Sequence, residues 1–163
     1  MGQARTLGRR ETALIGVGFD GSRQSRLALA EAARLAQAAG ASLRVVTVLN
    51  PEGFGWPGFT LDRPGDRTML EEARERAHKS LHDALEEIAR PDSVTAEVIE
   101  SDPVDVLVRE SGGLDLLVRG SRGYGLVRQV LLGGVAGKLV DEAACPVLVY
   151  PRVAVDREPA AVG

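Results

Sequence analysis

The feature that most limits the folds open to this chain is an alternation. Short runs of Val, Leu and Ile are each followed by a stretch of helical character. Residues 12–19 (Thr-Ala-Leu-Ile-Gly-Val-Gly-Phe) predict a buried strand. Asp20-Gly21-Ser22 then turns the chain, with Ser22 placed to cap a helix over residues 23–39 that Gly40 stops. Leu43–Leu49 is a second strand, apolar enough to be covered on both faces. Residues 66–90 form the longest helix. In it Leu70, Ala73, Ala77, Leu81, Ala84 and Ile88 recur at steps of three or four, which makes one buried stripe. Glu72 with Arg76 and Glu75 with Lys79 are i,i+4 pairs on its solvent side, and Pro91 ends it. Residues 94–99 are a third strand. A short helix begins near Pro103 and stops at Gly112-Gly113. Residues 114–119 are a fourth strand, 134–143 a last helix, and 147–150 a final strand.

Strands alternating with helices predict an α/β fold: a five-stranded parallel sheet with helices on both faces and right-handed crossovers, a Rossmann-like or flavodoxin-like three-layer sandwich. A chain of 163 residues accommodates about one such domain. Its expected bounds are 12–150, with flexible tails at 1–11 and 151–163. Ligands of such sheets sit beyond the carboxyl ends of the strands, where strand order reverses. Three segments should therefore meet: the turn after the first strand (Gly18, Asp20, Gly21), the end of the second (Val48), and the turn that starts at Gly120.

Composition removes several classes of function. Twenty Lys and Arg against 23 Asp and Glu leave a net charge of −3, so a general attraction to nucleic acid or to an anionic membrane is not expected. Aromatic residues make up 4% of the chain, too few for a base-stacking platform. No run of ~18 apolar residues is present to span a bilayer. The basic amino-terminal residues precede no apolar core of the secretory kind. Met1-Gly2-Gln3-Ala4-Arg5-Thr6 fits the loose N-myristoylation pattern, one that recurs by chance. Cys145 is the single cysteine, in an apolar run with no His nearby in sequence, and is expected to be a structural thiol. A cytoplasmic location is the expectation.

One segment stands apart in charge. From Leu116 to Val140 the chain carries Arg119, Arg122, Arg128 and Lys138 and no acid. The same stretch contains Gly120-Ser121-Arg122-Gly123 and then Gly133-Gly134-Val135 at the opening of a helix. Glycines let a backbone approach a ligand closely, and successive amides with a helix N-terminus form an anion site. The bland alternative is a glycine turn beside a solvated basic face.

The spacing Gly-x2-Gly-x9-Gly, with Asp115-Leu116-Leu117-Val118 before it and Ala144-Cys145-Pro146-Val147-Leu148-Val149 after it, resembles the universal stress protein, UspA-like family. Val17-Gly18-Phe19-Asp20-Gly21-Ser22 and Ser101-Asp102-Pro103 extend the resemblance over roughly residues 12–150. It implies a five-stranded parallel sandwich, a homodimer paired through the last strand (Val147–Tyr150), and the branch that binds ATP with Mg²⁺. In that branch the acid of the first motif contacts adenine, which falls on Asp20, beside Gly18. A residue late in the second strand also lines the base, which falls on Val48. Loop glycines and amides hold ribose and phosphates, which falls on Gly120, Ser121, Arg122, Gly123, Gly133, Gly134 and Val135. No metal ligand is assigned to the protein, and no residue is assigned to catalysis.

Two positions depart from the family pattern. Gly134 stands where the ATP-binding branch has Ser or Thr, and losing a hydrogen bond to a charged group costs roughly 1.5–3 kcal/mol, about ten- to a hundredfold in affinity. Arg119 occupies a slot usually aliphatic; it either reaches phosphate or snorkels to solvent.

Rival motifs are weaker. Gly16-x-Gly18-x-x-Gly21 has the form of a dinucleotide fingerprint, but no acid closes the second strand, where Thr47-Val48-Leu49-Asn50 stands. Gly137-Lys138 lacks the leading glycine of a P-loop, since Leu132 stands there. His78 and His82 lie four apart on the long helix with no third ligand in view. Residues 50–65 hold Phe54, Trp56 and Phe59 in a Pro/Gly-rich loop, either a lid or partner contact or an anchor onto the body. The functional expectation is a nucleotide-sensing stress or regulatory module with at most slow ATP hydrolysis. The alternative is a nucleotide-free homodimeric interaction module whose phosphate loop is degenerate at Gly134.

Overall fold

Apolar runs and amphipathic stretches become strands and helices in strict alternation: β1 (Leu14–Phe19), α1 (Arg23–Ala39), β2 (Ser42–Leu49), α2 (Pro64–Glu87), β3 (Val94–Glu100), α3 (Pro103–Ser111), β4 (Leu116–Gly120), α4 (Gly134–Glu142) and β5 (Val147–Tyr150). The structure, a computed structural model, describes residues 12–51, 64–89, 91–121 and 134–150. Both tails, most of the aromatic loop and the middle of the basic segment lie outside the described residues.

The strands form one parallel sheet in the order β3-β2-β1-β4-β5. The chain starts at the centre, moves out to β3, and returns past β1 to build β4 and β5. Strand order therefore reverses between β1 and β4. Period-two alternation along β2 divides the core. Leu43 and Val45 face one side, with Ala28, Leu29, Ala32 and Ala36 of α1 and Leu81 and Ala84 of α2. Val46 and Val48 face the other, with Val106 and Leu107 of α3 and Leu139 of α4. The expected three-layer sandwich is the observed fold.

Local signals act as their chemistry dictates. The Ser22 side chain accepts the Ser25 amide at the start of α1, and Gly40 ends that helix at φ 60°, its N–H directed to the Ala36 and Gln37 carbonyls. Asp102 caps α3 by accepting from the amides of Val104 and Asp105, with Pro103 in the first turn. Two expectations are corrected. Helix α2 spans Pro64–Glu87 rather than residues 66–90: a proline is tolerated in a first helical turn, so Pro64 does not delay the start, and the helix stops short of Pro91. Ile88 still packs on the first core. Lys79 pairs with Asp83 at 2.8 Å rather than with Glu75. An exposed ammonium with an acid one turn away on either side has only a few tenths of a kcal/mol to choose between them.

Glycines do steric work inside this sheet. Gly18 lies within β1, opposite Val46 and Arg119, and not in the turn that follows; a Cβ there would press on Leu107 at 3.1 Å. At Gly120 a Cβ would fall 2.6 Å from the carbonyl carbon of Gln24 and 2.7 Å from the Ser25 nitrogen, both backbone atoms of α1. Only a glycine lets the first turn of α1 lie this close to the end of β4. Gly120→Ala is expected to destabilise the protein by about 1–3 kcal/mol, as overpacking does, measured by urea unfolding without any ligand.

On the α3 side of the sheet, the Arg44 guanidinium meets Glu110 of α3 and Glu97 of β3. The hydrogen bond from Arg44 holds the Glu110 carboxyl below its ordinary value. A depressed carboxylate contributes stability that is present above its unfolded pKa of about 4.3 and is lost as pH falls through the lower folded value. Glu110→Gln is therefore expected to cost about 1–3 kcal/mol at pH 7 and to flatten the fall of stability below about pH 4, read from urea midpoints across pH.

Candidate functional site

The crossover that places α2 over the sheet also opens a pocket. A crossover helix runs antiparallel to its strands, so the first half of α2 overhangs the carboxyl edge of β1 and β2. Along its inward stripe Leu70 and Leu81 are buried, and between them stand only the short side chains of Ala73 and Ala77. What the alanines leave is a pocket of about 470 Å³, within the ordinary range for small-molecule sites. Its walls are Phe19, Asp20 and Gly21 from the end of β1, Thr47 to Asn50 from the end of β2, and Ala73, Arg76, Ala77 and Ser80 from α2.

The mouth is built by the turn after β1. Asp20 Oδ1 accepts the Ser22 amide at 2.9 Å, and Ser22 in turn caps α1. Gly21 completes the turn at φ 79°, where a Cβ would stand 3.0 Å from Ser80 Oγ. Ser80 accepts from Arg26 Nη2 at 3.3 Å. Arg26 also meets Glu87 at 3.2 Å and lies over the Phe19 ring, 5.8 Å from its centroid. These contacts brace α1 against α2 behind the pocket. Arg76 stands at the exposed rim, 3.6 Å from Glu72, as the i,i+4 spacing predicts. Deeper in, Thr47 is 5% exposed, and its hydroxyl has no hydrogen-bond partner among the described residues.

The pocket unites Asp20 and Val48. Val48 packs its side chain on the opposite core, so its share of the pocket wall is chiefly main chain. Gly18, inside β1, is not among the pocket-lining residues. Gly120 is accounted for by its contact with α1. The Ser121 amide, read in sequence as an anion donor, donates instead to the Tyr150 carbonyl at 2.8 Å and extends the β4–β5 ladder by one bond. Gly134 opens α4, and Val135 packs on the second core. Arg122, Gly123 and Gly133 lie outside the described residues. Sequence reasoning missed Thr47, Arg76 and Ser80. The signal for Thr47 was present: a polar residue at an inward position of an otherwise apolar strand.

Cys145, His78 and His82 are not among the pocket-lining residues. Burial pushes the Cys145 thiol up, away from thiolate chemistry, and it packs beside the second core. His78 and His82 are exposed, and among the described residues no three potential ligands cluster as a metal would require. Among the described residues no helix is long and apolar enough to cross a membrane.

The model of the universal stress protein family matches residues 13–151. The chain belongs to that family. Among curated protein sequences none matches it. Its fold is shared with the universal stress protein UspA from Lactobacillus plantarum, at 22% identity over 86% of this chain and 99% of that one, with a TM-score of 0.70. A universal stress protein from Burkholderia pseudomallei is 28% identical, covering 85% of this chain and 96% of that one, with a TM-score of 0.65. A universal stress protein solved in complex with cAMP is 25% identical over 87% of this chain and 98% of that one, with a TM-score of 0.56.

Proposed function

We propose that this universal stress protein binds an adenine nucleotide, ATP with Mg²⁺, and works in the cytoplasm as a nucleotide-sensing stress or regulatory module. The observation that carries the reading is the convergence of Asp20 and Val48 in one pocket at the carboxyl edge of the sheet. A carboxylate has about four acceptor positions, so Asp20 can hold the Ser22 amide and still accept from an exocyclic amine. Apolar surface from Phe19, Ala73 and Ala77 suits the faces of a planar base. The cAMP complex of a family member at 25% identity supports an adenine nucleotide as the ligand class.

The phosphates would be held by the amides that open α4, at Gly134 and Val135, together with Gly120, the Ser121 hydroxyl, Arg122, Gly123 and Gly133. The reading is one of binding rather than turnover, with slow hydrolysis at most. Among the described lining residues the only carboxylate is Asp20, and its turn-forming bond suits it to recognition. The glycine at position 134 favours a second reading, a nucleotide-free interaction module, and calorimetry separates the two. Micromolar ATP binding supports the first reading, and no heat with ATP, AMP or NADH supports the second. If the missing hydroxyl is the defect, Gly134→Ser is expected to tighten ATP binding by about tenfold or more.

The homodimer belongs to the same proposal. β5 is an edge strand, and Leu148 on it is 38% exposed. An edge strand with an exposed apolar side chain is a template for pairing with a second copy. Leu148→Lys is expected to convert a dimer into a monomer in sedimentation velocity at micromolar protein; a wild-type monomer at that concentration would refute the pairing.

A further inference from the structure

Thr47 is the one residue of the pocket wall whose buried polar atom lacks a partner among the described residues. Its cross-strand neighbours are Phe19 on β1 and Val98 on β3, and both pack in the first core. Above it stand the short side chains of α2. A hydroxyl left unpaired in such surroundings costs stability, and valine would fill the same volume without that cost. Val45, Val46 and Val48 in the same strand show that the position is one where valine is at home. An orphaned hydroxyl in a folded protein calls for an explanation, and here it lies in the wall of a pocket.

We infer that Thr47 is a ligand-reading residue, whose hydroxyl hydrogen-bonds the polar edge of a planar heterocycle lodged between β2 and α2. The inference rests on the functional reading above and adds to it the atom that senses the base. The local chemistry favours a neutral ring over an anion. Phe19, Ala73 and Ala77 are apolar, while the lining guanidinium, Arg76, stands at the exposed rim. A phosphate seated beside Thr47 would lose its hydration without gaining charge-assisted donors. A threonine hydroxyl both donates and accepts, so it can meet either a ring nitrogen or an exocyclic amine.

Calorimetry with ATP and with AMP on the wild type, Thr47→Val and Thr47→Ser tests the inference, alongside thermal unfolding of each protein without ligand. Thr47→Val is expected to weaken both nucleotides by the same factor, about tenfold. Without ligand it unfolds at the wild-type temperature or higher, because an unpaired hydroxyl has been removed. Thr47→Ser, which keeps the oxygen, should hold affinity within about threefold of wild type. Unchanged affinity of Thr47→Val overturns the inference and leaves the nucleotide reading standing. A loss for ATP but not for AMP also overturns it, since the hydroxyl would then act on the phosphates. Wild-type protein that takes up neither nucleotide overturns the functional reading and this inference together.

Discussion

The approach of α1 to the end of β4 organises the carboxyl edge of the sheet. With no side chain at Gly120, the backbone of Gln24 and Ser25 can settle on the strand. That contact fixes where α1 begins, and the beginning of α1 is Ser22, held in place by the Asp20 carboxylate. Asp20 consequently projects at the mouth of the pocket with little freedom left to it. A loop residue has been given the rigidity of a helix terminus. The same contact lies at the point where strand order reverses, so one packing constraint positions the edge that the pocket opens on.

The pocket owes its existence to a run of short side chains on the inward stripe of α2. Over the body of the sheet this helix presents Leu81 and Ala84 and joins the core. Nearer the carboxyl edge, between Leu70 and Leu81, it presents Ala73 and Ala77, and the pocket remains beneath them. A helix packed well along its whole length would have gained the burial of another large side chain, about 1.5–3 kcal/mol. Forgoing that gain there, while Arg26 ties α1 to Ser80 and Glu87 behind it, keeps the opening from collapsing. Cavity and brace are two parts of one arrangement.

Much of this was legible in the residue pattern. The nine elements follow from the apolar periodicities and from Ser22, Gly40 and Pro103, because caps and periods are local and act within a turn of where they are written. Asp20 and Val48 were legible because they end strands, and strand ends in a parallel α/β sheet share an edge. The contribution of α2 was not. Periodicity shows that Ala73 and Ala77 face inward, but whether they face sheet or empty space depends on how far the helix overhangs. Ser121 misled for a related reason: a hydroxyl residue after a strand offers an amide to any acceptor, and one more rung of the β4–β5 ladder took it.

The glycines show most clearly where pattern reading stops. Gly18 and Gly120 each satisfy a phosphate-loop motif, and each is also required by packing, against Leu107 in one case and against the backbone of α1 in the other. A missing side chain is equally good evidence for close approach by a ligand or by the protein itself. Thr47 is different, because a buried hydroxyl without a partner among the described residues is not explained by packing; its shape would be served as well by valine. Unsatisfied polarity discriminates where absent bulk does not. At the carboxyl edge of this sheet a buried hydroxyl that packing does not require is the more informative observation than glycines that leave room.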